Sequence, residues 1–560
     1  MNEADYLIVG GGSAGAVVAS RLSENPSCRV LLIEAGQDTP PGATPADIAD
    51  TFPSSYANAG YSWNGLTAEG VAGAPPRPFI QGRVMGGGSS LMGMWALRGL
   101  PGDYDAWAAA GASGWAWDDV LPYFCRLERD LDQAGNAHGA DGPVPIRRIP
   151  RDRWPGLASA VERAAAANGY ASRADINAGD EDDSFFPIPF SQIDGVRASS
   201  AFCYLTDAVR QRPNLTILPH TRVLHIVFEG TRACGVKVER DERQEVLKAR
   251  QVIVCAGAIH SPALLMRSGI GPAADLQTLG IAPLVDLAGV GKNLQNHAFI
   301  HFGVTVAREA RQTEDLRNYG IAVLRFSSGH PDCPPGDLLM SVIGRVSTSL
   351  IGTRASLMTA KLYAPKSRGF VKLKAGDLAG VPAVNFNLLG DEADAARMLL
   401  AANTVGRILC DPQLVAVCPE AFMLPAEPPL QMLNRPGRLG TLLPYLATGV
   451  LEAPSIIRRR VISQMIGAER MLDRNKAGEP FSLDLVRRSV APMFHPAGTC
   501  AMGANDDPMA VVDPACRVRG IQGLRVIDAS IMPIVPRANT NIPTIMLAER
   551  AIDLVRAVPA

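Results

Sequence analysis

The sequence has no excess of charge and no long apolar run, and each absence excludes a class of partner. Its 54 basic and 55 acidic residues leave a formal net charge of −1, which argues against nucleic acid or an anionic membrane as the main partner. No uninterrupted apolar run reaches the about eighteen residues typical of a transmembrane helix. The acidic start at residues 1–5 leads directly into a strand-like run. We therefore expect no signal peptide and a cytoplasmic protein.

Cysteine is scarce, and its distribution argues against two further kinds of site. The chain has ten cysteines in 560 residues, without the paired spacing of a zinc site or a redox motif. We expect reduced thiols, as in cytosolic proteins, and no bound metal.

The chain does contain ample material for a hydrophobic core. Hydrophobic residues make up 47% and charged residues 19% of it, which is typical of a globular protein. Its length exceeds what one small core supports and predicts about two to four domains.

The N-terminal stretch carries the most specific local pattern. A continuous apolar run at 6–9 predicts a buried strand, and apolar spacing at 16–22 predicts a helix. Between them stand three glycines at dinucleotide-binding spacing: Gly10, Gly12 and Gly15. A second predicted strand at 29–33 leads to Glu34, where an acidic side chain binds a ribose hydroxyl. The pattern predicts a dinucleotide site with its phosphates at the helix N-terminus.

Later segments return to the same predicted sheet. Strand-like runs lie at 215–218, 223–229, 235–239 and 251–255, and this group ends in a glycine turn at Gly257. A further strand-like run lies at 524–530. The middle of the chain, about 301–486, alternates strand-like and helical segments and predicts an α+β second domain. Within it, residues 426–488 are rich in Pro, Leu and Arg. We interpret them as ordinary helices and loops; a lid, a membrane-surface segment and an oligomer contact are the alternatives.

Five stretches in order resemble the glucose–methanol–choline (GMC) family of FAD-dependent oxidoreductases. They are the N-terminal glycine turn, 82–99 with its triple glycine, 257–271, 290–297 and the C-terminal block that holds His495 and Asn539. The resemblance spans nearly the whole chain. It implies an α/β fold, with a Rossmann-like FAD-binding domain and an inserted α+β substrate domain. Within the family, 103–127 and 185–204 look most like the branch that oxidises hydroxymethylfurfural and aromatic primary alcohols.

The implied domains are discontinuous in the chain. The FAD-binding domain takes residues 1–150, 191–300 and 489–560, and the last of these holds the catalytic block. The substrate domain takes residues 151–190 and 301–488.

The resemblance also implies which residues bind FAD. The first glycine turn and Glu34 bind the ADP half, and Val223 contacts adenine through its backbone. The C-terminal strand end and helix start lie near the ribityl chain and pyrimidine ring, where a helix N-terminus stabilises negative charge on reduced flavin. The implied set is Gly10, Gly12, Ser13, Ala14, Gly15, Glu34, Ala35, Trp63, Val84, Gly87, Ser89, Met92, Gly93, Met94, Trp95, Val223, Phe494, Asp528, Ala529, Asn541, Pro543 and Thr544.

Three positions depart from the family pattern. Met92 replaces a common asparagine, so one polar contact to the flavin should be missing. Leu91 stands where members with covalent flavin have histidine, and we therefore expect noncovalent FAD. Asn296 replaces the common aspartate before His297, a milder change.

The resemblance assigns the chemistry to His495 and Asn539. Alcohol oxidation needs a base for the hydroxyl proton and an acceptor for the hydride, and FAD is the acceptor. Histidine suits the base because its ordinary pKa of about 6.5 lies near working pH. Asn539, where many members have a second histidine, holds the substrate oxygen but does not titrate.

The expected function is oxidation of primary, aromatic or furanic, alcohols to aldehydes, with oxygen reduced to hydrogen peroxide. The alternatives are a dehydrogenase that uses a quinone or another electron carrier, and a hydroxynitrile lyase on the same fold. A photochemical decarboxylase and a flavin-binding structural protein are more remote.

The remaining histidines and several aromatic residues receive weaker interpretations. The histidines show no metal-ligand spacing and read as structural or surface residues: His138, His220, His225, His260, His297, His301 and His330. His297 and His301 are possible exceptions, because they begin the substrate domain. Core packing is the usual role of aromatic residues, and we favour it here. The less favoured alternative is that five aromatic residues line an apolar substrate pocket: Phe185, Phe186, Phe190, Trp95 and Phe494.

Overall fold

The structure, a computed structural model, is organised by two large sheets. It describes residues 3–349, 351–426, 434, 445, 447–472 and 480–557. All ten cysteines lie in these ranges, and none of these described cysteines forms a disulfide.

The first sheet is built around the N-terminal strand. Ala4–Val9 pairs in parallel with Val30–Ile33 on one side and with Arg243–Val254 on the other. All four residues of Val30–Ile33 are buried, which explains why this strand is continuously apolar rather than alternating. The seven strands are Ala4–Val9, Val30–Ile33, Leu215–Leu218, Arg222–Glu229, Arg232–Arg240, Arg243–Val254 and Leu524–Val526.

The first and last long helices lie side by side against this sheet. Ser13–Leu22 follows the first strand, and Asn541–Ala557 is the last helix of the described chain. Arg21 forms an ion pair with the buried Glu549 at 2.8 Å. The Ser13 hydroxyl donates to Asn541 Oδ1 at 2.7 Å. The Ser13 contact joins the N-termini of the two helices, and the Arg21 ion pair joins the last turn of the first helix to the middle of the last.

The second sheet supplies the rest of the core. Its eight strands are Ala171–Ser172, Ser184–Pro187, Ala298–Thr305, Ala322–Phe326, Leu338–Ile343, Ala355–Leu362, Ala421–Met423 and Ala491–Pro492. Two of them cross the boundaries expected from the sequence. Ala298–Thr305 begins before residue 300, and Ala491–Pro492 lies beyond residue 489. The five-segment domain division itself stays a prediction.

Two four-stranded sheets and a two-stranded sheet connect the larger units. The first has the strands Glu128–Asp130, Val144–Arg148, Pro189–Ile193 and Val196–Arg197; the second has Thr67–Glu69, Arg77–Pro78, Phe370–Lys372 and Ala383–Asn385; the pair is Ile270–Gly271 and Val285–Asp286. The second four-stranded sheet pairs residues near 70 with residues near 380, and local sequence patterns do not reveal this pairing.

The helices pack around these sheets. Those of eight residues or more are Ser13–Leu22, Pro101–Ala109, Trp117–Leu127, Gly156–Ala167, Gly257–Arg267, Glu392–Leu409, Ser455–Ile466 and Asn541–Ala557. Shorter α-helices are Ala46–Ala49, Gly88–Leu91, Ser200–Tyr204, Asp207–Arg210, Ala273–Thr278, Pro412–Val417 and Leu483–Arg487. Among the described residues, no helix combines the length and apolar character needed to cross a membrane.

Only part of the segment 426–488 is described. Residues 427–433, 435–444, 446 and 473–479 lie outside the described residues. In the described part, the helix Ser455–Ile466 leaves Ile456 83% exposed. The interpretations of this segment as cover, lid, membrane surface or oligomer contact therefore stay predictions.

Candidate active site

A cavity of about 250 Å³ opens where the first glycine turn meets the triple-glycine segment. A Cβ placed on Gly12 would find its nearest neighbour, Gly87 Cα, at 3.9 Å. A Cβ placed on Gly87 would lie 3.0 Å from Gly12 Cα. The backbones at Gly12 and Gly87 thus face each other across a space that a side chain on either residue would fill. Such a cradle fits the diphosphate of a dinucleotide, which needs close approach of the backbone.

Two helix N-termini line the same cavity. The helix Ser13–Leu22 has Gly12 as its N-cap, without a capping side chain. Asn541, the first residue of the C-terminal helix, also lines the cavity. Because helix N-termini carry free N–H groups and partial positive charge, this arrangement fits an anionic group.

Two buried carboxylates stabilise the cavity wall. Glu34 accepts hydrogen bonds from the Gly11 and Gly36 backbone N–H groups, both at 2.8 Å. Asp528 accepts from Gly257 N at 2.9 Å and from the Ser261 hydroxyl at 2.6 Å. Burial raises the pKa of both carboxyls. Glu34 lines the cavity and keeps acceptor capacity for a ribose hydroxyl.

Most of the predicted cofactor residues line this first cavity. They are Gly10, Gly12, Ser13, Ala14, Glu34, Ala35, Trp63, Gly87, Ser89, Met92, Gly93, Met94, Trp95, Val223, Phe494, Asp528, Ala529, Asn541 and Thr544, joined by His495 and Asn539.

Three predicted cofactor residues lie behind the wall instead. A Cβ on Gly15 would stand 1.8 Å from the Gly10 carbonyl oxygen, so Gly15 lets the helix pack on the strand. Val84 is buried in a small cluster with Ile48 and Tyr61. Pro543 is buried in the first turn of the C-terminal helix. These three residues do not line the cavity, because each is used for packing; their assignment to FAD stays a prediction.

Three basic side chains that the sequence interpretation did not assign to the cofactor also line the first cavity: Arg222, His260 and Arg267. The Trp63 ring lies 4.3 Å from the His260 ring, centroid to centroid. Arg222 and Arg267 line the cavity beside them. Burial lowers the pKa of His260 to about 3, so this histidine is neutral. Arg222 had a recognisable signal, since it directly precedes Val223.

His495 is positioned by pairing between two distant chain segments. Gln295 and Ala497 exchange backbone hydrogen bonds, and Met493 N donates to the His297 carbonyl. Asn296 fixes this pairing, because its amide donates to the Met493 carbonyl and accepts from His495 N. An ionised aspartate accepts but does not donate. The asparagine at this position therefore makes two bonds of which an aspartate would make one.

The imidazole of His495 contacts Asn539. His495 Nε2 lies 3.0 Å from Asn539 Nδ2, and the Tyr363 hydroxyl lies 3.1 Å from Asn539 Oδ1. Since Tyr363 donates to the amide oxygen, the amide nitrogen donates to His495 Nε2. The free electron pair of His495 is then on Nε2, at the cavity.

The opposite edge of His495 contacts His297. The two Nδ1 atoms are 2.9 Å apart, so one ring donates and the other accepts. Because Nε2 of His495 accepts from Asn539, its proton is on Nδ1 and is donated to His297. The His297 ring stacks on Tyr363 at 4.4 Å with 5° between the planes. The structural interpretation of His297 did not anticipate this contact.

Burial determines the protonation of both imidazoles. It lowers the pKa of His495 well below its ordinary value, helped by His297 and Lys361. Burial also lowers the pKa of His297 to about 3, again helped by Lys361. Both rings are therefore neutral near pH 7, and His495 is in the form that accepts a proton.

A second, larger cavity of about 1080 Å³ meets the first. The residues that line both are Met92, Gly93, Trp95, Phe494, His495 and Asn539. The second cavity contains neither the first glycine turn nor Glu34. The candidate base and its amide partner thus stand at the junction between a dinucleotide-like cavity and a separate space.

Aromatic rings dominate the second cavity, but they are only partly those considered from the sequence. Its aromatic lining is Phe52, Tyr56, Phe79, Trp95, Phe299, Tyr319 and Phe494. The less favoured alternative that placed Phe185, Phe186 and Phe190 in a pocket is wrong for these two cavities. All three are at most 2% exposed and belong to the core, the usual role of aromatic residues.

One group of potential metal ligands lies away from both cavities. Three of its ligand atoms fall within 4.8 Å: those of Glu128, Asp130 and His138. Arg98 pairs with the first carboxylate and Arg148 with the second, at 2.9 Å for the latter. Hydrogen bonds to Asp175 and then Glu128 raise the pKa of the histidine to about 9. A protonated histidine and two guanidinium groups make this an ion-pair network.

This fold and its dinucleotide-like cavity define the class of FAD-dependent oxidoreductases. Models of GMC oxidoreductases match residues 4–299 and 365–548, and the chain belongs to this family. It is 38% identical over 567 residues to 5-(hydroxymethyl)furfural oxidase of Methylovorus sp. (strain MP688), with 98% of both chains covered. It is 32% identical over 587 residues to oxygen-dependent choline dehydrogenase of Brucella suis biovar 1 (strain 1330), covering 98% of this chain and 95% of that one.

A solved structure supports the same assignment. Pyridoxine 4-oxidase from Mesorbium loti superposes with a TM-score of 0.79 at 28% identity, covering 99% of this chain and 100% of that one. The GMC fold expected from the sequence is confirmed, and the protein is an FAD-dependent alcohol oxidoreductase.

Proposed function

We propose that the protein is an oxidase that converts aromatic or furanic primary alcohols to aldehydes and reduces oxygen to hydrogen peroxide. The observation that carries this proposal is the position of His495 and Asn539 on the wall shared by the two cavities. A base at that junction reaches an alcohol on one side and a flavin on the other. The furfural oxidase relative, similar over its whole length, supports the substrate class and the oxidase assignment.

The second cavity supports an aromatic substrate. Phe79 and Phe494 stack with centroids 5.6 Å apart, and Tyr56 meets Phe494 edge to face at 6.0 Å. Planar rings of a substrate pack well in such surroundings, because aromatic pairs favour stacked and edge-to-face contacts.

In the proposed reaction, this chain supplies orientation and a base. When the alcohol binds, its hydroxyl replaces Asn539 as the donor to His495 Nε2, which accepts the hydroxyl proton. Asn539 Nδ2 then donates to the substrate oxygen. His297 Nδ1 accepts from His495 Nδ1–H and thereby stabilises the imidazolium that results. Bound FAD supplies the hydride acceptor. His495 and His297 are both buried, and the low local dielectric strengthens the hydrogen bond between them.

We expect the FAD to be noncovalent. Leu91 is buried in an apolar cluster with Ile48, Tyr61 and Val84, and it offers no nucleophilic atom to the cofactor. Acid precipitation of the purified protein should release all flavin absorbance into the supernatant. Flavin that stays in the washed pellet would contradict noncovalent binding.

An anaerobic experiment followed by air tests the function. Benzyl alcohol and 5-(hydroxymethyl)furfural should bleach the flavin without oxygen, and air should restore it with formation of one peroxide per alcohol. Bleaching that air does not reverse would identify a dehydrogenase with another electron acceptor. A flavin that no alcohol bleaches would contradict alcohol oxidation and favour a lyase.

A further inference from the structure

A buried lysine, Lys361, faces the second cavity. It lies in the strand Ala355–Leu362, where alternate residues Leu357, Thr359 and Lys361 line the cavity. This alternation is what a strand with one face on a cavity requires. Lys361 is 3% exposed. Nothing in the mechanism proposed above uses its ammonium group.

No carboxylate of the described residues pairs with Lys361. Its Nζ instead lies 4.0 Å from the centroid of the Trp95 ring and 5.8 Å from that of Tyr363. Burial lowers the pKa of Lys361 well below its ordinary value. A buried lysine without a counterion is costly, which makes its place on a cavity wall significant.

The rest of this cavity has the same sign of charge. Its other basic residues are Arg77, Arg470, Arg487 and Arg488. Arg470 donates to the Ser489 hydroxyl at 2.7 Å, and Arg488 lies 3.4 Å from Asp484. None of the described lining residues is an aspartate or a glutamate. The cavity therefore attracts anions and repels cations.

Lys361 is also close to the reacting groups. Tyr363, two residues along the chain, donates to Asn539, and Trp95 lines both cavities. The ammonium group contacts both aromatic rings. A ligand that pairs with it is held in the same space as the alcohol that reaches His495.

We propose that Lys361 binds a carboxylate on the substrate, so that the preferred substrates are aromatic or furanic primary alcohols that carry a carboxylate. This inference rests on the proposed function and specifies, in addition, that the substrate carries a negative charge. A carboxylate beside Lys361 gives the ammonium a counterion that the described residues do not supply, and it forms a charge-assisted hydrogen bond. It also restores the charged form of the lysine, because an opposite charge raises a lysine pKa. Choline, whose ammonium has the same sign as the cavity, should reduce the flavin poorly.

The test compares 4-(hydroxymethyl)benzoate with 4-(hydroxymethyl)benzamide in the holoenzyme. The two have the same shape and differ in charge. We expect a higher kcat/KM for the benzoate, and Lys361→Met should lower the benzoate-to-benzamide ratio at least tenfold. Lys366→Met, at a partly exposed lysine that lines neither cavity, is the matched control and should leave the ratio unchanged.

A binding measurement tests the same inference without turnover. Benzoate has no alcohol group, and its binding is followed by the change it causes in the flavin absorbance. Its Kd should rise at least tenfold in Lys361→Met. An equal loss of kcat/KM for both alcohols, or an unchanged benzoate Kd, would overturn the inference. Failure of both alcohols to reduce the flavin, with tight benzoate binding retained, would overturn the proposed function alone.

Discussion

Replacement of His495 by alanine should lower the rate constant of flavin reduction by roughly 10²-fold or more while FAD stays bound. The expected size is that of a positioned general base. FAD should remain because the first cavity is built mainly by the glycine turns and helix N-termini, to which the imidazole adds one lining group. Anaerobic stopped-flow measurements of flavin bleaching give the rate constant, and the flavin-to-protein absorbance ratio gives the FAD content.

A matched histidine variant separates chemistry from folding. His330→Ala changes a partly buried histidine that lines neither cavity, and it should reduce its flavin at the wild-type rate. An unchanged reduction rate in His495→Ala would refute its role as the base.

The wild-type rate should also have a characteristic pH dependence. Burial, together with His297 and Lys361, places the pKa of His495 well below 6.5. The neutral, proton-accepting form then persists as the pH falls through 6.5, and the rate declines only at more acidic pH. This profile should be absent in His495→Ala.

The second large effect is expected at His297. His297→Phe keeps a ring to stack on Tyr363 but removes the nitrogen that accepts from His495. The loss of one buried hydrogen bond costs about 1–3 kcal/mol, which corresponds to a roughly 5-fold to 150-fold slower flavin reduction. The KM for alcohol should change less than kcat, because the lost bond acts on the base and leaves the second cavity intact.

A conservative variant distinguishes this positioning role from simple packing. His297→Gln offers an amide oxygen to His495 and should recover part of the rate that His297→Phe loses. His225→Phe, at a half-buried histidine of the first sheet outside both cavities, is the control. Equal rates in His297→Phe and His297→Gln would show that the contact between the two imidazoles has no role in the reaction.

Local patterns predicted much of the fold. The continuous apolar run before the first glycine turn is the strand Ala4–Val9, and the helix predicted at 16–22 is the helix Ser13–Leu22. Both are determined by residues a few positions apart, which is the range that periodicity reports.

The parts of the site that were missed depend on distant contacts. His297 meets His495 across 198 residues, and no periodicity reports such a distance. Lys361 had a weak signal, a lysine inside an apolar strand-like run, but its orientation became informative only when the second cavity was known. Phe185 and Phe186 show the converse, since aromatic residues near a substrate domain fill its core as readily as its pocket.

The wall of the first cavity comes from chain segments that folding must bring together: the turn near Gly12, the segment near Gly87 and the C-terminal residues 528–544. A ligand that contacts all three binds the folded chain and has no equivalent site on the unfolded one. FAD bound in this cavity would join the two ends of the polypeptide, and its binding free energy would add to the free energy of unfolding. The melting temperature should consequently rise with the concentration of free FAD, and loss of the cofactor should loosen the contact between the first and last helices.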